Sequence, residues 1–329
     1  MDTNPLTSMP QEENLARHDA SGASVPEAIA MMPAGLRCFL AVAQAGSMRE
    51  AAQRLRLAQS AISRRIQQLE EELGVQLLER GARGVGLTPA GEILLHHGRE
   101  ATQLTERLRA DLDALRGVRR GHVVLRLVES FAASGLSGAL AAFRLAYPAV
   151  TLDVTVMGSE AILAALRDRT CHLGIAFNPA ADPEVEVLAS AAEPLAVMVA
   201  PSHPLAGAAK LTLAELVGLP LVAPSYLGSS RALFDTACRA ARVPIKPTLD
   251  TNSSHVAAAF VADGRGVAVM VPRILALHVA LGRVKAIPIA DPLLNGGRIA
   301  LLARRGRRLP AAAEAMSASL ARVLEQQGG

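Results

Sequence analysis

The segment Gln59-Ser-Ala-Ile-Ser-Arg-Arg-Ile-Gln-Gln-Leu-Glu-Glu-Glu-Leu73, closed by Gly74, decides how this chain is read. Its apolar residues Ala61, Ile62, Ile66 and Leu69 recur at helical spacing and are expected to face inward. Gln59, Ser60, Ser63, Arg64 and Gln67 then share the outer side. Such side chains suit the edges of base pairs: Gln pairs bidentately with adenine, Arg with guanine, Ser with either. A polar helix face is most often only a solvated one, so its neighbours matter. Upstream, Leu36, Phe39, Leu40 and Ala43 mark a helix that stops at Gly46. Ser47, three residues before Glu50, matches a capping box for a second helix through Leu55. A short joint, Arg56 to Ala58, leads into Gln59. Downstream, Val75 to Thr88 is short, basic and punctuated by Gly81, Gly84 and Gly86, which predicts a β-hairpin. Three short helices with a tight joint, then a basic hairpin, make a helix-turn-helix with a wing.

Charge follows the same segment. Arg49, Arg54, Arg56, Arg64 and Arg65 face only Glu50 between positions 49 and 65. Phosphate neutralisation supplies the sequence-independent part of duplex affinity, so this clustering fits double-stranded DNA as partner. Arg80 and Arg83 in the wing can reach phosphates or a narrow minor groove. The whole chain carries a formal +4, but residues 1–33 hold five acids against Arg17, so the rest carries +8. That leader has no period and reads as a disordered extension, with Met31 and Met32 as alternative starts of translation.

Pro89 opens a long fourth helix to about Arg116. Leu94, Gly98, Ala101, Thr105, Leu108, Leu112 and Leu115 step alternately by four and three, the 3.5-residue period of a coiled-coil seam. A dimer through this helix is expected; packing on its own domain is the alternative. Beyond Gly117, apolar strands at 123–128, 151–157, 173–176, 195–200, 221–223, 266–271 and 298–303 alternate with helical patterns at 136–147, 159–167, 231–242 and 254–263. Alternation of this kind predicts α/β layers with largely parallel sheets, in two small lobes. Ligands in such sheets sit beyond the carboxyl ends of strands, where helices begin. Ser130, Ser159, Ser229 and Ser230 stand at such places and suit a small anion, most plausibly a carboxylate. Arg231 is its charge partner if the side chain turns inward, and Asn178 and Asn252 are weaker candidates. A serine at a helix start is otherwise merely a cap.

Several classes are excluded. Cys38, Cys171 and Cys238 are far apart and odd in number, which argues against a disulfide framework or a metal knuckle and for a reducing cytoplasm. No apolar run approaches a membrane span, and the start lacks a secretory pattern. No HExxH, P-loop or GxSxG occurs, and Gly264-Arg-Gly266 lacks the third glycine of a dinucleotide fingerprint, so neither catalysis nor a cofactor is expected. His96 and His97 are adjacent and diverge by about 100° on a helix, so they are expected not to clamp one metal together, and no metal site is expected.

The runs Leu36-Arg-Cys-Phe39, Ala45-Gly-Ser-Met-Arg-Glu-Ala-Ala52, Gln59-Ser-Ala-Ile-Ser-Arg-Arg-Ile66, Leu69-Glu70, Leu73-Gly74, Leu77-Leu-Glu-Arg80 and Leu87-Thr-Pro-Ala-Gly91 resemble the winged-helix domain of LysR-type transcriptional regulators. Tyr147-Pro148, Gly158-Ser159, Ser202-His-Pro-Leu205 and Ala262-Asp-Gly-Arg-Gly-Val-Ala-Val-Met-Val-Pro272 resemble their effector domain more loosely. The resemblance implies an α/β protein with an α-rich winged helix-turn-helix domain at 34–91 and a linker helix at 92–117 for dimerisation. It further implies an effector domain of the type 2 periplasmic-binding-protein kind, with lobe I at 118–193 and 296–329 and lobe II at 194–295. A homodimer assembling to a homotetramer, a dyad-symmetric promoter site, a small-molecule effector and RNA polymerase as a further partner come with it. Gln59, Ser60, Ser63 and Arg64 then read bases or phosphates, and Arg83 is the wing contact. One departure stands out: where the family usually has Asp, this chain has His172, in Cys171-His172-Leu173-Gly174. It is a structural substitute or, alternatively, a pH-sensitive element. A solute receptor for transport is the rival reading; the missing export signal and the basic helices oppose it.

Overall fold

The computed structural model describes residues 31–81, 84–115, 121–134, 136–223 and 229–327, in two compact units that divide at Glu106. In the first unit, α1 (Ala34–Ala45) ends at Gly46 in the left-handed conformation, which lacks a steric penalty only for glycine. Ser47 caps α2 (Met48–Leu55) by accepting the Glu50 N–H. The other half of the expected capping box is not what Glu50 does, because its carboxylate pairs with Arg54 one turn on. Arg56 adopts φ 53° and turns the chain into α3 (Gln59–Leu73), which Gly74 closes at φ 67°. A hairpin follows, β1 (Leu78–Gly81) antiparallel to β2 (Gly84–Leu87). Thr88 then starts α4 (Pro89–Leu115): its hydroxyl accepts the Gly91 N–H and donates to the Gln76 carbonyl.

Phe39, Val42, Ile62, Ile66 and Leu77 form the core of this unit. Met32 belongs to it too, buried and in contact with the Thr102 hydroxyl, so the fold starts before the boundary at 33 read from composition. The seam of α4 divides as well. Leu94 and Ala101 pack on the core of their own unit, and a Cβ at Gly98 would lie 2.8 Å from Leu40. Leu108 and Leu112 are exposed, joined by Leu104, which the 3.5-residue pattern passes over.

The second unit opens with β3 (Gly121–Leu127), α5 (Glu129–Ser134), α6 (Leu136–Ala146), β4 (Val150–Val156), α7 (Ser159–Arg167), β5 (Leu173–Phe177) and β6 (Val185–Ala192). It continues through β7 (Ala196–Val199), β8 (Leu221–Val222), α8 (Ser229–Ala241), α9 (Ser254–Ala262) and β9 (Val267–Met270). The last elements are α10 (Ala276–Ala280), β10 (Lys285–Pro288), α11 (Pro292–Asn295), β11 (Arg298–Arg304) and α12 (Ala311–Gln327).

One sheet has the order β4-β3-β5-β11-β6 and the other β10-β7-β9-β8. Both are mixed rather than largely parallel. β3 pairs parallel with β4 and β5, but β11 runs antiparallel to β5 and β6 because it returns from the second sheet. β7 is antiparallel to β9 and β10, and only β8 lies parallel to β9. β5 is buried along its whole length, and α7 rests so closely on it that a Cβ at Gly174 would meet Ile162 at 2.5 Å.

The chain passes between the sheets twice, and the two passages lie side by side. The Glu193 N–H donates to the Gly297 carbonyl at 2.7 Å, and the Leu195 N–H to Leu294 at 3.0 Å. Gly297 admits no side chain, since a Cβ would lie 2.3 Å from the Glu193 carbonyl oxygen. This double crossing positions the cleft between the sheets.

Candidate functional site

On α3, Ile62 and Ile66 are buried, while Gln59, Ser60, Arg64 and Gln67 are exposed and Ser63 is half-buried. The expected outer face is therefore brought together on one side of one helix. Arg49, exposed at the start of α2, joins Gln59, Ser63 and Gln67 around a concavity of about 900 Å³ that extends to Val85 of the hairpin. Glu70 fixes that hairpin by accepting the N–H groups of Leu77 and Leu78 at 2.8 and 3.2 Å. The Val85 N–H donates to the Gly46 carbonyl, which ties the hairpin to the end of α1. Arg56 is exposed at the joint, its left-handed backbone holding it just ahead of α3. Arg83, and the side chains of Arg80 and Leu115, lie outside the described residues.

In the second unit a cavity of about 330 Å³ opens between the two sheets. Ser130, Ser159, Ser229, Ser230 and Asn252 line it, as does Ser253, the cap of α9. The N-termini of α7, α8 and α9 all meet this cavity, and each presents N–H groups that its helix leaves without an internal partner. Not every serine plays the role expected of it. Ser159 is not the cap of α7, which is Gly158; its buried hydroxyl donates to the Phe177 carbonyl and accepts the Phe177 N–H, locking α7 to β5. The Ser130 hydroxyl donates to Glu193 at 3.0 Å.

Two expected residues stand elsewhere. Arg231 does not line the cavity, because its guanidinium is held by Asp235 at 3.0 Å and Asp250 at 2.8 Å. Asn178 adopts φ 41°, and its Oδ1 accepts the Arg298 N–H at 2.7 Å, an assignment that ties β5 to β11 rather than facing the cavity.

The sequence reading missed Glu193 and Arg273. Glu193 is buried in the crossing segment with its Oε1 2.9 Å from Arg273 Nε. Burial pushes its carboxyl above the ordinary range, opposed by the Arg273 charge and the Ser130 hydroxyl. The available signal was one acid inside the otherwise uncharged run Leu188–Ala200.

His172 is buried, and its Nδ1 accepts the Val124 N–H at 3.0 Å while its backbone N–H donates to the Val124 carbonyl. An acceptor atom at this position serves the backbone of β3 as a carboxylate oxygen would, which favours the structural reading. Burial pushes the Cys171 thiol up to about 12 and Cys238 to about 11, so both are protonated at neutral pH and act as apolar packing.

The model of the bacterial regulatory helix-turn-helix protein of the lysR family matches residues 34–92, and that of the LysR substrate binding domain matches residues 116–325. The chain belongs to the LysR family of transcriptional regulators. A RuBisCO operon transcriptional regulator of Allochromatium vinosum is 29% identical over 283 residues, covering 85% of this chain and 92% of that one. Among solved structures, a full-length OxyR variant from Pseudomonas aeruginosa superposes with a TM-score of 0.68 at 22% identity, covering 87% of this chain and 93% of that one. Full-length CbnR in complex with its target DNA gives a TM-score of 0.61 at 24% identity, covering 89% and 98%. These structural likenesses concern the fold. This LysR-family chain is a DNA-binding regulator with an effector-binding domain, not an enzyme. Among the described residues no helix is long and apolar enough to cross a membrane.

Proposed function

We propose that this regulator acts in the cytoplasm as a homodimer, assembled further to a homotetramer, that places two copies of α3 in successive major grooves of a dyad-symmetric promoter site. The carrying observation is the exposed row Gln59, Ser60, Arg64 and Gln67 opposite the buried Ile62 and Ile66. Arg64 reads a base edge, whereas Arg49 and Arg56 neutralise phosphates. Replacing Arg64 with alanine is then expected to cost about 1–3 kcal/mol on the cognate site and little on random DNA. Arg56→Ala weakens both alike and lowers the salt slope by about one. Fluorescence anisotropy on the two duplexes at several salt concentrations separates them; equal losses for Arg64→Ala on both would remove it from base reading.

The effector reading is a small anion, a carboxylate, in the cavity between the sheets. Three helix N-termini of eight residues or more meet there, and each favours negative charge by its dipole and free N–H groups. With Arg231 engaged by Asp235 and Asp250, backbone N–H groups and the hydroxyls of Ser229 and Ser230 supply the recognition. A ligand held at one hundred times its Kd stabilises the folded state by about 2.7 kcal/mol, so a screen of small carboxylates by thermal shift on the whole chain is expected to find a raised midpoint. A screen in which only cations raise it would sink the anion reading and leave DNA binding untouched. Effector binding alters the assembly only through a difference in affinity between two lobe arrangements, and the arrangement it favours is what RNA polymerase would meet.

A further inference from the structure

We propose that His96, His97 and Glu100 of α4 form a site for a divalent transition metal of the zinc class. Neighbouring helical residues point about 100° apart, which by itself separates the two imidazoles. Glu100 closes that gap, since it lies four residues from His96 and three from His97, the spacings that share a helix face. Its carboxylate lies between the rings, with Oε1 3.8 Å from His96 Nε2 and Oε2 3.1 Å from His97 Nδ1. The rings stand edge to face with centroids 5.3 Å apart. One donor atom from each of the three residues falls within 4.8 Å of the other two. A tetrahedral zinc ion with bonds of about 2.0–2.1 Å holds its ligand atoms about 3.3 Å apart, so small rotations of these side chains complete the site.

The rings are free to make those rotations, being 54% and 66% exposed. Two imidazoles and one carboxylate favour zinc, copper or nickel over magnesium or calcium, which prefer oxygen ligands. Three protein ligands leave a coordination position open to water or to a group from outside the chain. The site also lies where α4 matters most. One residue further on, Gly98 seats the helix against Leu40, and Leu104 begins the exposed apolar stripe. A metal bridging positions 96, 97 and 100 staples the turn that contains Gly98, just ahead of Leu104.

The test uses the untagged full-length protein, stripped with a chelator and titrated with zinc against a chromophoric competitor. One ion per chain is expected, with affinity at least about tenfold weaker in the His96→Ala/His97→Ala variant and also reduced in Glu100→Gln. Cobalt substituted for zinc is expected to give visible absorption bands of a tetrahedral ion, absent from the double variant. His96 and His97 are exposed, so the double variant keeps the wild-type unfolding midpoint in the absence of metal. No stoichiometric zinc binding, binding undiminished in the double variant, or equal binding of magnesium would each overturn the assignment.

Discussion

Glu193→Ala is expected to lower the unfolding free energy of the effector unit by about 3 kcal/mol, the low end for breaking a buried ion pair by removing one partner. Three groups each lose a contact. Arg273, 18% exposed, loses its counter-charge; the buried Ser130 hydroxyl loses its acceptor; and the crossing beside Gly297 loses the side chain that joins both lobes. The residual exposure of Arg273 keeps the cost below the upper end, because water recovers part of its solvation. Glu193→Gln keeps the shape and an acceptor for Ser130, so it costs less. Its pH dependence has a definite sign. The folded carboxyl titrates above the ordinary range, so between the unfolded and folded values the native state binds the extra proton. Wild-type stability therefore falls as pH rises through that window, starting near the unfolded value of about 4.3, and is flat above the folded one. Glutamine does not titrate, so the deficit of the Gln variant shrinks as pH rises. Urea unfolding followed from pH 4 to pH 7 reads both effects. A deficit that grows with pH would mean that Arg273 outweighs burial and holds the carboxyl ionised.

The first unit was more legible in the sequence than the second, for a local reason. Its helices carry their own stops, and Gly46, Gly74 and Pro89 fix boundaries without tertiary information. Strand direction carries no comparable local signal. β11 is an apolar run like β5, and only its return from the second sheet makes it antiparallel. β6 and β10 went unread because one is an edge strand with apolar residues left exposed and the other is four residues ending in proline. The cavity was legible as far as its helix starts allowed. Serines at positions 130, 159, 229 and 230 do line it, but what each hydroxyl binds depends on residues up to 63 positions away. Arg231 illustrates a signal present and not used: Asp235, four residues on, shares its helix face and competes for the guanidinium. Adjacent histidines diverge when taken alone, and only Glu100, three and four residues on, sets a carboxylate within reach of both rings.

Operator binding is expected to collapse in the Leu108→Lys/Leu112→Lys variant while the chain stays folded. Leu104, Leu108 and Leu112 follow one another at helical spacing with 61%, 49% and 45% of their surface exposed, a row that a lone helix in water has no reason to keep. The upper part of the expected seam serves another purpose, since Leu94, Gly98 and Ala101 hold α4 to its own winged-helix core. The proposed self-association through α4 therefore falls to the three exposed leucines, and two lysines there would set like charges against each other across the helix pair. Each α3 alone contacts one half-site. Linking two of them makes the second contact intramolecular, which is worth about 10²–10⁴ in affinity, and a monomer forfeits that factor. Non-specific binding survives because Arg49 and Arg56, the proposed phosphate contacts, are unchanged. Light scattering on the eluting protein gives the assembly state, and anisotropy on the promoter duplex gives the affinity. A variant that remains dimeric and binds its operator undiminished would remove α4 from the interface, and the proposed pairing of recognition helices would then need another contact to hold them at one helical turn.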